Sequence, residues 1–138
     1  MIINDRMPEY CVQRAMRILN DRRKALNGAK VLVLGVAYKQ DIDDYRESPA
    51  LRVIECLRDS GAEVTFFDPF VPRYKYEGQT HEGIRKLTAG ALAASDLVVV
   101  TTAHTTVDYD FVARHATLIF DTKNAMKNVT KRDNIRLL

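Results

Sequence analysis

The chain has no tryptophan, two cysteines, four prolines and six glycines among its 138 residues. So little glycine and proline excludes a collagen-like or low-complexity chain. Cys11 and Cys56 stand far apart in no CxxC or CxxH spacing, which argues against a zinc site, and no metal is expected. Both fall in amphipathic stretches beside apolar neighbours and read as buried, inert thiols. No apolar run approaches the roughly 18–20 residues needed to cross a bilayer, Leu97 to Val100 being only strand-sized. The first residues show no basic segment followed by an apolar one, so no signal peptide and a cytoplasmic location are expected. Charge of one sign is also scarce: 21 Lys and Arg against 18 Asp and Glu leave a net +3. A nucleic-acid binder concentrates a larger excess on one face, so that class is not expected. His81, His104 and His115 are scattered and read as surface or helix-packing residues.

What is present is the composition of one globular domain, 46% hydrophobic and 28% charged. From Pro8 to Leu26, Val12, Ala15, Met16 and Leu19 fall on one helical stripe. The helix is long for a domain that starts just before it. An exposed stripe there predicts self-association. Val31 to Leu34, closed by Gly35, reads as a strand buried on both faces. Residues 36–47 form a charged loop. Ser48-Pro49 pairs a good N-cap with a residue suited to the first helical position, and Ala50, Val53, Ile54 and Leu57 give that helix one face up to Ser60-Gly61. Glu63 to Phe67 is the second strand and Asp68-Pro69 a turn. Residues 70–86 lack a period and read as loop, with a short edge strand near Ile84–Leu87. Thr88 to Ala94 is a short helix, Asp96 to Val100 a strand, Tyr109 to His115 a helix and Thr117 to Phe120 a strand. Asn124 to Leu138 reads as loop or tail.

Strand and helix in alternation predict an α/β domain: a Rossmann-like parallel sheet with helices on both faces, preceded by a long N-terminal helix. Ligands of such sheets bind beyond the carboxyl ends of the strands, near the point where strand order reverses. Three loops qualify, after Gly35, after Val100 and after Phe120. The first does not carry a dinucleotide fingerprint. Gly35-Val-Ala-Tyr-Lys-Gln has one glycine, and the next helix does not begin until Ser48. A self-contained NAD site is therefore not expected. The loop offers Lys39 as a cationic donor to phosphate or sugar hydroxyls, and Tyr38 as a stacking surface. Asp43, Asp44 and Arg46 could pair and hold the loop in shape, with Ser48 capping the helix. Asp68 ends the second strand where a ribose reader could stand, but Asp-Pro also makes a turn, and that reading is preferred.

Gly35-Val-Ala-Tyr-Lys-Gln-Asp-Ile-Asp-Asp-Tyr-Arg-Glu-Ser-Pro-Ala resembles the signature of the UDP-binding C-terminal domain of UDP-glucose/GDP-mannose dehydrogenases. Asn4 to Pro8, Gly61 to Val64 with Asp68 to Pro72, Ser95 to Val100, and Phe120 to Asn124 resemble further stretches of it. Details such as Met7-Pro-Glu-Tyr10 resemble the bacterial UDP-N-acetylhexosamine branch, with N-acetylglucosamine the nearest sugar and N-acetylmannosamine and glucose close competitors. The resemblance implies an NAD-dependent oxidation of a nucleotide sugar's C6 alcohol to a carboxylate, in polysaccharide precursor synthesis. It implies that residues 1–27 end a central dimerisation helix and that 28–138 form the UDP-sugar-binding domain. Tyr38, Lys39 and Lys123 would approach the substrate. Lys123 stands where the family commonly has an arginine, so it keeps the charge and loses the bidentate fork. Arg46 would be architectural. The NAD-binding domain and the catalytic cysteine would lie upstream, outside this chain, which would be inactive alone. The partners implied are a UDP-sugar, the protein's own N-terminal and central domains, and further copies of the chain. A stand-alone regulatory or interaction module of the same fold is the competing expectation.

Overall fold

The computed structural model describes residues 2–138, and side chains from Pro8 onward. The side chains of Asn4 to Met7, part of the stretch resembling the family's helix, lie outside the described residues. Helix α1 spans Ile2–Asp21, strand β1 Lys30–Leu34, helix α2 Pro49–Asp59 and strand β2 Glu63–Phe67. A hairpin of β3 (Arg73–Tyr76) and β4 (Gln79–Glu82) follows, then α3 (Ala89–Ala94), β5 (Leu97–Val100), α4 (Tyr109–His115), β6 (Ile119–Asp121) and β7 (Ile135–Leu137). Five strands form one sheet in the order β2-β1-β5-β6-β7, with every pairing parallel.

The continuous apolar strands are buried on both faces, as their lack of alternation requires. Val31, Val33, Leu97, Val99 and Phe120 face a core shared with α1 and α2. Leu32, Leu34, Val98, Val100 and Ile119 face a second core shared with α3 and α4. The strand order reverses between β1 and β5, so the carboxyl ends of those strands mark the switch point.

The apolar stripe of α1 is not exposed. Val12, Ala15 and Leu19 are buried with Cys11 and Ile18 in the first core, and only Met16 of the stripe stands out, at 48% exposure. The basis for self-association through that stripe is gone, because the domain's own core covers it. The helix also ends earlier than Leu26. Arg23 adopts a left-handed φ of 60°. Its N–H donates to the Asn20 carbonyl, and that of Lys24 to the Leu19 carbonyl. This Schellman pattern stops α1. Gly61, at φ 94°, stops α2 with the same pair of bonds.

Two regions differ from the sequence reading. Residues 73–82 form the hairpin, and Ile84–Leu87 form no strand. The hairpin turn is Glu77-Gly78, both at positive φ (49° and 81°), as a two-residue type I′ turn needs. Tyr74 anchors it in the core, its ring 5.1 Å from that of Phe66. Residues 124–138 are likewise not a tail. Met126, Val129 and Ile135 are buried, β7 extends the sheet, and the Asn134 amide donates to the carbonyls of Ala113 and Ala116 at the end of α4.

Gly35 closes β1 for a steric reason. Its φ is +89°, and a Cβ there would lie 2.4 Å from the Thr102 Cβ. Left-handed backbone costs a non-glycine residue about 1–2 kcal/mol, and overpacking about 1–3 kcal/mol more. Gly35→Ala is expected to lose about 2–5 kcal/mol in chemical denaturation. An unchanged midpoint would contradict the close approach of β1 and β5.

Candidate functional site

The loop after β1 leaves the sheet beside β5 and is fastened there by side chains. Thr101 donates its hydroxyl to the Gly35 carbonyl, and Thr102 donates to the Ala37 carbonyl at 2.8 Å. Ser48 donates to the same Ala37 carbonyl at 3.3 Å and accepts from the Ala50 N–H, so the α2 cap is tied to the start of the loop. The N–H of Tyr38 donates to the Asp44 carbonyl at 2.7 Å, folding the loop back on itself.

The centre of the arrangement is Asp68, buried at the turn after β2. Its Oδ2 accepts from the Val36 and Ala37 N–H groups at 2.8 and 3.0 Å, and its Oδ1 from those of Phe70 and Val71 at 2.8 and 3.1 Å. His104 Nε2 completes the set, 2.8 Å from Oδ2. Asp68 does make the turn, as its Asp-Pro context suggests. It is not a ribose reader, because its carboxylate is spent on five internal donors. Burial pushes its pKa up, but the bonds from His104, Phe70 and Val36 outweigh that, and the carboxyl sits below the ordinary aspartate value.

His104 is fully buried, not a surface residue. Its Nδ1 accepts from the Asp41 N–H at 2.7 Å. Asp41 in turn accepts from the Thr105 N–H and hydroxyl at 2.8 and 2.7 Å, and these bonds lower its pKa. Asp121, buried at the end of β6, orders the third loop by accepting from the N–H groups of Lys123, Ala125 and Met126. Asp41, Asp121 and His104 were missed as organisers. Asp121 ends β6 and bonds locally, whereas Asp41 and His104 are ordinary polar loop residues in the sequence and meet only through the sheet order.

A cleft of about 130 Å³ opens at the switch point, between the strand ends and the start of α2. Tyr38, Ser48, Thr101, Thr122 and Lys123 line it, together with Cys11. The cleft thus unites Tyr38 and Lys123. Lys39 is exposed outside that lining, its Nζ 5.9 Å from the centre of the Tyr38 ring. Arg46 pairs with Asp44 at 3.2 Å on the surface, while Asp43 is exposed and donates or accepts in none of the described bonds. Lys123 is the one charged side chain among the residues lining the cleft. Burial raises the pKa of the Cys11 thiol, with the nearby Lys123 opposing, so the thiol is held protonated. A wider groove of about 650 Å³ adjoins the cleft at Tyr38, between the loop, α2 and the hairpin.

Asp68→Ala leaves four backbone N–H groups and the His104 ring N–H without their acceptor. A buried donor left unpaired costs about 1–3 kcal/mol, so a loss of several kcal/mol is expected. The pH dependence follows from the lowered pKa of Asp68. Its stabilisation is present above the unfolded-state value and is lost as pH falls through the lower folded-state value. Stability of the wild-type chain should therefore decline below about pH 4, and Asp68→Asn should flatten that part of the profile. Equal acid slopes for the two proteins would rule out an ionised Asp68.

The sequence and fold have counterparts in known proteins. Residues 32–128 match the UDP binding domain of the UDP-glucose/GDP-mannose dehydrogenase family. A UDP-N-acetyl-D-mannosamine dehydrogenase of Pyrococcus horikoshii is 34% identical over 91% of this chain and 29% of its own length. A UDP-glucose 6-dehydrogenase of Rhizobium meliloti is 32% identical over 93% of this chain and 32% of its own. The solved structure of the Pyrococcus horikoshii enzyme superposes with a TM-score of 0.77 at 27% identity, over 98% of this chain and 31% of that one. The chain therefore spans about a third of the length of these relatives. With the parallel sheet, the loop after β1 and the matched residues in agreement, the chain belongs to the UDP-glucose/GDP-mannose dehydrogenase family and comprises its UDP binding domain.

Proposed function

We propose that this chain is the C-terminal nucleotide-sugar-binding part of an NAD-dependent UDP-sugar 6-dehydrogenase. Its substrate class is a UDP-N-acetylhexosamine or UDP-glucose, and its setting polysaccharide precursor synthesis. The observation that supports this most directly is the cleft at the switch point, where Tyr38 and Lys123 meet. A diphosphate carries its charge into such a cleft, and Lys123 supplies the compensating ammonium. The start of α2 adds the positive end of its dipole. Helix amides contribute little else, since Pro49 has no N–H and that of Ala50 is taken by Ser48. Side chains therefore meet the nucleotide: Lys123 at phosphate, Tyr38 against a ring face, and Lys39, standing over Tyr38, toward the sugar. Arg46, Asp44 and Ser48 shape the loop, and Asp43 remains solvated.

NAD, which accepts hydride in this reaction class, does not fit the turn after β1. The Val36 and Ala37 N–H groups that would face a pyrophosphate already bond the Asp68 carboxylate, and Thr102 fills the space beside Gly35. NAD and the nucleophilic cysteine belong, in this reading, to upstream domains. Cys11 is no substitute, being buried and protonated. The chain alone binds and orients, and does not oxidise. Residues 1–27 would continue a central dimerisation helix into residues 28–138, giving an oligomeric cytoplasmic enzyme. Among the described residues no helix is long and apolar enough to cross a membrane.

Calorimetric titration of the chain with UDP, uridine and UDP-sugars tests this. UDP should bind and uridine should not. Lys123→Ala should weaken UDP about tenfold, the scale of one charged hydrogen bond. Lys39→Ala should weaken a UDP-sugar more than UDP. Equal affinity for UDP and uridine, or none for either with no nucleotide effect on melting, would favour a stand-alone module that has lost the ligand.

A further inference from the structure

His104 is used at both ring nitrogens although it touches none of the cleft. Nδ1 accepts from the Asp41 N–H, so the proton of the neutral ring belongs on Nε2, where it donates to Asp68. Phe70 packs against the ring at 4.9 Å, and the Tyr109 hydroxyl donates to the His104 carbonyl at 2.8 Å. One tautomer and one orientation satisfy all of these. On the far side, Asp41 sits at φ 63°, a left-handed conformation that a non-glycine residue keeps only when its surroundings enforce it. The enforcing bonds are three: its N–H to His104, and its carboxylate to the N–H and hydroxyl of Thr105. Between the anchors at Ala37 and Asp41 lie Tyr38, Lys39 and Gln40, all with exposed side chains.

We propose that His104 is a positioning residue for the nucleotide-sugar site: held by Asp68, it accepts the Asp41 amide and so fixes the conformation in which Tyr38 faces the cleft. The proposal rests on the cleft being the nucleotide-sugar site. A loop fixed before binding spares the ligand the entropy of ordering it. His104 acts through the backbone at Asp41 and makes no ligand contact of its own.

Two conservative variants separate the two ring nitrogens. His104→Gln keeps a donor near Nε2 for Asp68 and offers nothing to Asp41. His104→Asn keeps an acceptor near Nδ1 for Asp41 and leaves Asp68 short of its ring N–H donor. Amide hydrogen exchange by NMR, thermal melting and UDP titration are measured on the chain with each variant. The Asp41 amide should exchange about tenfold faster in His104→Gln, the loss of roughly one hydrogen bond, and near the wild-type rate in His104→Asn. UDP affinity should fall several-fold in His104→Gln and recover in His104→Asn, even though His104→Asn melts lower. Stability and affinity thus rank the variants in opposite orders. Affinity that merely follows melting temperature, or an unchanged Asp41 exchange rate in His104→Gln, overturns the proposal. If the wild-type chain does not bind UDP, the nucleotide-sugar reading fails, while Asp41 exchange still decides whether His104 sets the loop. Should both variants fail to fold, Thr105→Val removes a bond to Asp41 from the exposed side. Faster Asp41 exchange with weaker UDP binding then supports the role, and no change in either overturns it.

Discussion

A single buried carboxylate holds three loops in register. Asp68 takes four backbone N–H groups and one imidazole N–H, drawn from the loop after β1, its own turn and the segment after β5. A buried charge is tolerable only when its lone pairs are filled, and here they are. The arrangement resembles an anion site occupied from within. In a dinucleotide-binding turn the N–H groups after the first strand face a ligand phosphate; here they face a side chain of the same chain. With these N–H groups bonded to Asp68, the loop after β1 has a fixed shape.

The same device recurs at neighbouring strand ends. Asp121 gathers the N–H groups of the turn that presents Lys123, and Asp41 gathers Thr105. Asp68 and Asp121 act from buried positions near the strand ends, whereas Asp41 acts from within the loop after β1. Substitution in these aspartates should alter the cleft through geometry, whereas substitution of Lys123 should alter it through charge. The two kinds of effect are separable, because only the second leaves the backbone bonds intact.

Legibility in the sequence follows the range of the interaction. β1, β5 and α2 were readable because their signals are local: Val- and Leu-rich runs and Ser48-Pro49. The end of α2 was readable because glycine supplies its left-handed residue. α1 ends by the same bonds with Arg23 in that role, and no local signal marks it. The hairpin was obscured by charge, although Glu77-Gly78 offered a turn signal between alternating residues. β7 is three residues long and gains its place only by pairing with β6. Tyr38 and Lys39 were legible from their place after β1 and Lys123 only from the family resemblance; Tyr38 and Lys123 line the cleft, while Lys39 stands beside it. The bonds of His104 to Asp68 and Asp41 were not legible, since they join residues 36 and 63 positions apart.

The loop after β1 is rigid on one side and open on the other. Val36 and Ala37 are buried and their N–H groups bonded, and Asp41 is pinned by His104 and Thr105. Yet Tyr38 is 50% exposed and Ile42 38% exposed. A clamped backbone with outward side chains is a preorganised binding surface, since ligand contact there costs little further ordering. In a chain spanning about a third of its relatives' length, such a surface has two natural occupants. The nucleotide sugar would fill the cleft beside Lys123. On that reading Tyr38 meets the ligand there, and Ile42 is left for the remainder of the protein. On the proposed reading, anchors placed in the core hold the exposed side chains of this loop in position before any contact is made.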